Sequence, residues 1–213
     1  HFYQVGTVVR LIRLGKDDDR FNSWKQRLTE FLVDWLGQRK VVQDKMAGYA
    51  HAMIFWGFLM LVSDIVDLGT GGLFQELLSR IWLDGIWNLV VDVGYAMAAI
   101  GIIIALYRRL VVRPEKLKGS SIEGPLILLA ILGIILTAFI VEAGNMIGED
   151  SNYNSWEPIG VLFAEQMESM NHETIANVVD ISYWIHMVLI GGFLIEIPQT
   201  KHSHLIGTVP NVM

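Results

Sequence analysis

The sequence predicts an all-α integral membrane fold: a transmembrane helix bundle of four complete spans, the inner end of a fifth, and an amphipathic surface helix. Three observations carry this expectation. Of 213 residues, 53% are hydrophobic and only 18% charged, against about 25% charged in soluble domains, and the mean hydropathy is +0.43. The charges are segregated, leaving four stretches of about 20 or more mostly apolar residues, the length that crosses roughly 30 Å of hydrocarbon. Lysine and arginine also collect in alternate connecting segments, as they do on the cytoplasmic side of membrane proteins.

The same composition excludes several functions. A net charge of −6 and a pI of about 5.5 provide no basic surface for nucleic acid. The absence of cysteine rules out disulfides, zinc–thiolate sites, catalytic thiols and iron–sulfur ligation by this chain. A cofactor here must be held by histidine, oxygen or methionine.

Taken in order, residues 1 to 14 run from apolar HFYQVGTVV into Arg10 and Arg13. This is the pattern of a helix leaving the membrane, so they continue a span outside this chain or, on the other reading, form an N-terminal amphipathic stub. In 24–36, WKQRLTEFLVDWL, Trp24, Leu28, Phe31, Leu32 and Trp35 recur at spacings of three and four, with Lys25, Arg27, Glu30 and Asp34 around the rest of the wheel. Such a helix suits the inner membrane surface or a partner. Complete spans follow at 46–68, 86–112, 122–147 and 175–197, the last ended by Pro198. Trp156 to Met170 reads as a surface segment able to form a short helix. The whole of 1–213 reads as one membrane domain, a piece of a longer chain.

Orientation follows from the basic residues. Arg39, Lys40 and Lys45 precede the first complete span, and Arg108, Arg109, Arg113, Lys116 and Lys118 lie between the second and third, so both segments are expected inside. The connection after the first span holds only Arg80, and 148–174 holds no Lys or Arg but carries Glu149, Asp150, Glu157, Glu165, Glu168 and Glu173. Those sides are expected outside, and the C-terminus cytoplasmic.

Histidine inside a span is costly unless it binds a metal, relays a proton or bonds a neighbouring helix. His51 sits among small residues near the inner end of the first complete span, and His186 lies near the middle of the last. His204 follows His186 by 18 residues, five helical turns, and so shares its face, whereas His202 does not unless the chain unwinds after Pro198. Two imidazoles at one depth, His51 and His204, suit bis-histidine ligation of a b-type haem. The alternative is a set of metal-free interhelical hydrogen bonds. Among the intramembrane acids Asp64, Asp67, Asp92, Glu142 and Asp180, the candidates for handling the protons of a quinone reaction are Glu142, Asp92 and Asp180; the alternative places them at the wet interface.

The segments GYAHAMIFWGFL and DISYWIHMVLIGGFLIEIP, and above all IPQTKHSHLIGTVPNV, resemble the membrane cytochrome b domain of the respiratory nitrate reductase gamma-subunit type. The likeness is greatest to the branch associated with heterodisulfide-reductase-like iron–sulfur proteins, and it extends over nearly the whole chain. It implies five helices holding two b haems, with His51 and His204 (His202 as alternate) on the inner haem and His186 on the outer. The family pattern has a second histidine further along the first complete span, where this chain has Leu61. His186 then pairs with a histidine outside this chain or shares one haem with His51, so one haem and two both stay open.

The resemblance implies a membrane cytochrome b module in the inner (plasma) membrane of a prokaryote. Such a module passes electrons between a cytoplasmic iron–sulfur domain or electron-transfer flavoprotein and the quinone pool, menaquinone being the expected quinone. The rival reading is a haem-free membrane anchor, an assembly subunit or a small transporter.

Overall fold

The structure, a computed structural model, describes residue 10 and residues 23–117, 122–148 and 153–196. The remainder of the N-terminal stretch and the tail carrying His202 and His204 lie outside the described residues. The described chain is helical without strands, and it divides into two compact units, residues 41–190 and residues 1–40 with 191–213.

In the smaller unit, α1 (Trp24–Glu30) runs on into a wider π-type turn over Phe31–Leu36. Trp24, Leu28 and Leu32 are exposed along one side. The turn is clamped by Asp34, whose carboxylate meets Arg39 at 2.8 Å and Lys40 at 2.8 Å. The Lys40 hydrogen bond, helped by the charge of Arg39, holds the Asp34 carboxyl below the usual carboxylate range.

The larger unit begins with α2 (Lys45–Gly69), α3 (Leu73–Arg80) and α4 (Asp84–Tyr107), the last prolonged by a π-type turn over Arg108–Val112. It continues with α5 (Glu123–Gly148), α6 (Pro158–Met167) and α7 (His172–Glu196), which runs past residue 190 into the smaller unit. Among the described residues, four segments are long and apolar enough to cross a membrane: Lys45–Asp67, Asp84–Val112, Glu123–Ile147 and His172–Glu196. Local chemistry sets their ends. Arg113 takes a left-handed conformation (φ 47°) immediately before Pro114, which stops α4. Asn171 caps α7 through its side-chain oxygen, 2.8 Å from the amide of Thr174.

Helices α2 and α4 form an antiparallel hairpin held by small residues. A Cβ on Gly57 would strike Ala98 and come within 2.6 Å of the Gly94 carbonyl, and one on Gly101 would lie 2.8 Å from the Ala50 carbonyl. Glycine at the contact lets two backbones approach where larger side chains would hold them apart. At the basic end of the hairpin, Arg108 reaches Asp44 at 3.4 Å. Ile102, Ile134 and Ile135 are fully buried, and Phe139 of α5 lies edge-on to Tyr95 (6.1 Å) and stacked on Phe163 of α6 (5.2 Å). Beyond this aromatic layer, Ala143, Met146, Ala164, Met167 and Ile175 bring α5, α6 and the start of α7 into one apolar cluster.

Candidate functional site

The hairpin puts Lys45, Arg108 and Arg109 at one end of the larger unit and Asp64, Asp67 and Asp92 toward the other. α5 crosses in the direction that returns Glu142 to that acidic end. There the two short helices solve one problem in the same way. A helix N-terminus leaves amides without intrahelical acceptors. Gly72 before α3 has no side chain to offer, and Glu157 before α6 makes no side-chain cap. Carboxylates from the long helices supply the acceptors. Asp67 accepts from Phe74 (2.8 Å) and Gln75 (3.0 Å), and Asp92 accepts from Ile159 (2.8 Å) and Gly160 (3.0 Å). Asp92 is only 2% exposed. Two N-terminal amides and the positive end of the helix dipole are what a buried carboxylate needs.

With Asp92 acting as the cap, the Glu157 carboxyl is free to turn inward, where it hydrogen-bonds that of Glu142. Carboxylates accept but do not donate, so this bond places a proton between the two. Burial pushes Glu157 above the ordinary carboxylate value and the charge of Asp92 adds to this, while hydrogen bonds with Glu142, Asn154 and Asn88 pull it back. A second short contact lies alongside, the Tyr95 hydroxyl donating to Asp64. These groups line a cavity of about 810 Å³, whose far wall is Tyr183, His186 and Met187 of α7. A smaller cavity of about 420 Å³ shares Asp64, Val91, Glu142 and Glu157 with the first, and continues to Asp67, Gly71, Gly72, Gln75 and Asn88.

The expected site residues are therefore distributed unevenly. Glu142 and Asp92 meet at the large cavity. Asp180 is exposed on α7 and is not among the lining residues. Tyr95 and Glu157 join the site although nothing singled them out in the sequence. Tyr95 follows Asp92 by three residues and shares its helix face, whereas Glu157 reads as one more solvated charge of an acidic loop. Its one local signal is Pro158, which suits the first position of a helix.

Among the histidines, His186 Nδ1 lies 2.9 Å from Thr137 Oγ1 and 3.1 Å from the Ile134 carbonyl, joining α7 to α5. His51 is exposed near the basic end of α2.

Two curated proteins give context. A probable iron–sulfur-binding oxidoreductase of Bacillus subtilis, FadF, is 29% identical over 99% of this chain and 30% of its own length. An EtfAB:quinone oxidoreductase of Syntrophomonas wolfei is 26% identical over 87% of this chain and 27% of its own length. The chain thus spans less than a third of either relative. No family profile matches it. Nor does any solved structure. Both names are consistent with the heterodisulfide-reductase-like branch, and neither is that of a cytochrome b or a nitrate reductase gamma subunit.

The haem expectation, one or two b haems on His51, His186 and His204, is overturned. The Bacillus protein is named for iron–sulfur binding, and among the described residues no group of three or more His, Cys, Asp or Glu is arranged to hold a metal. His186 Nδ1 makes an interhelical hydrogen bond with Thr137, which lowers the cost of a polar group in an apolar span. Iron–sulfur chemistry does not fit this chain's own residues either, since it has no cysteine.

Proposed function

We propose that this chain is the membrane module of an electron-transfer oxidoreductase, and that it reacts with a quinone in the large cavity. The observation that carries the reading is the cavity itself. Its 810 Å³ is ample for a quinone ring. Its walls bring Tyr95, Asp64, Glu142 and Glu157 together at one end of otherwise apolar helices, where ionisable groups are expensive unless they serve an ion or proton path. Quinone chemistry exchanges two protons with every two electrons, and these side chains are the groups able to hold them. The naming of the Syntrophomonas relative as a quinone oxidoreductase supports the same class of reaction.

In this reading the four apolar helices span a prokaryotic inner membrane with the basic end inside. An iron–sulfur domain or flavoprotein supplies or takes the electrons. Asp92 holds α6 over the cavity, Tyr95 and Asp64 present a hydroxyl and its acceptor to the ring oxygens, and Glu142 holds the exchangeable proton. Helix α1, with Trp24, Leu28 and Leu32 outward, lies along the inner lipid surface. The test is photolabelling of the full-length protein in nanodiscs with an azido-quinone. Label on α4 and α5 around Tyr95 and Glu142, competed by unlabelled menadione, is the expected result. Label confined to the basic end around Tyr49 and Arg108 would overturn the assignment.

A further inference from the structure

Resting on the quinone reading, we propose that Glu142 and Glu157 are a proton relay between the two cavities, and that protons reach the quinone through the smaller one, at the turn joining α2 to α3. The two cavities share only four lining residues, Asp64, Val91, Glu142 and Glu157, so the carboxyl pair stands in the partition between them. The far side is built for water. Gln75 Nε2 donates to Asn88 Oδ1 at 3.1 Å, Asn88 also hydrogen-bonds Glu157, and Gly71 and Gly72 leave the turn without side chains. The near side holds Tyr95, Asp64 and the space for the ring. A Cβ on Gly160 would come within 3.2 Å of Glu142 Oε2, so the first turn of α6 confines that carboxyl to the partition.

A quinone takes two electrons, one at a time, from the iron–sulfur or flavin carrier of the partner, and two protons through the relay, giving the quinol; the reverse releases both. For each proton, Glu142 gives its own to the ring oxygen and is reprotonated by Glu157, which recovers one from water in the smaller cavity. Titratable groups lining the two cavities with the pair are Asp64 and Asp67 from α2, Asp92 and Tyr95 from α4, Tyr153 from the segment before α6, and Tyr183 and His186 from α7. The elevated position of Glu157 keeps it protonated further toward neutral pH than an exposed glutamate, as a donor requires.

The experiment uses the full-length protein with its redox partner in nanodiscs, with menadione turnover and ferricyanide reduction followed in parallel. Glu157→Gln keeps the shape but removes the exchangeable proton, and slows menadione turnover about 10²-fold. It also abolishes the fall in reduction rate that wild type shows as pH rises through the Glu157 titration. Glu157→Asp recovers part of the rate. Asn88→Leu leaves both carboxyls in place, closes the smaller cavity, and slows turnover with an increased solvent isotope effect. Ferricyanide reduction, which takes no proton, is unchanged in all three. Wild-type menadione turnover in Glu157→Gln or Asn88→Leu would overturn the relay alone. A wild type that reduces ferricyanide yet neither binds nor turns over menadione would overturn the quinone reading and the relay with it.

Discussion

Asp92 accepts two hydrogen bonds from amides 67 and 68 residues further along the chain, and the placement of α6 beside the acidic site rests on that side chain. Asp92→Ala leaves both α6 amides without acceptors and is expected to cost about 2 kcal/mol or more. Asp92→Asn offers one oxygen and turns its amide donors toward the second N–H, so it falls between alanine and wild type. Thermal unfolding in detergent ranks the three, and faster hydrogen exchange at residues 159–160 identifies the cause. Half of this site was legible in the sequence. Glu142 and Asp92 stand out as charges inside apolar runs, and that signal needs no fold. Glu157 offers only the neighbouring Pro158, because its role exists only once α6 is capped by a residue of another helix. Asp180 carries the same sequence signal as Glu142, yet helix phase turns it outward: Ile175 and Ser182 occupy the buried face of α7, and Asp180 falls off it.

At the scale of elements, the four long helices follow from length and hydropathy, and their observed bounds depart by a few residues from the apolar runs for local reasons. α7 starts at His172 rather than 175 because Asn171 caps it, and α4 as an α-helix gives way at Arg108 to a wider turn. Length and hydropathy do not predict α3. Eight residues behind two glycines, LFQELLSR, hold together through Asp67 at one end and the Glu76–Arg80 pair, 2.5 Å, at the other. The α2–α4 hairpin makes the firmest element-scale prediction. Gly57→Val must displace Ala98 or separate the two backbones, at about 1–3 kcal/mol, whereas Gly69→Ala, with nothing within 4 Å of the added carbon, meets no such obstacle. Unfolding of both variants in the same detergent, with Gly69→Ala as the control, tests whether close backbone approach sets hairpin stability.

For the whole molecule, orientation is measurable by thiol labelling, since these 213 residues hold no native cysteine and a single introduced thiol is the only one among them. A cysteine in the Arg108–Lys118 loop is expected to react with an impermeant maleimide only when the cytoplasmic face is opened, and one beside Asp150 in intact cells. The opposite pattern would invert the proposed orientation and move the relay to the other side of the membrane. The borrowed caps of α3 and α6 have a consequence for biogenesis. Helices of 8 and 10 residues are too short to persist alone in water. α3 takes its acceptor from a carboxylate on α2, and α6 takes its own from α4, so neither short helix can settle before the long helix that caps it has reached its place. The connecting segments on the acidic face thus stay cleavable by proteases until the hairpin has inserted. Their acquired resistance is a timer by which the cell, or a pulse-chase experiment, can distinguish a finished molecule from one still in assembly.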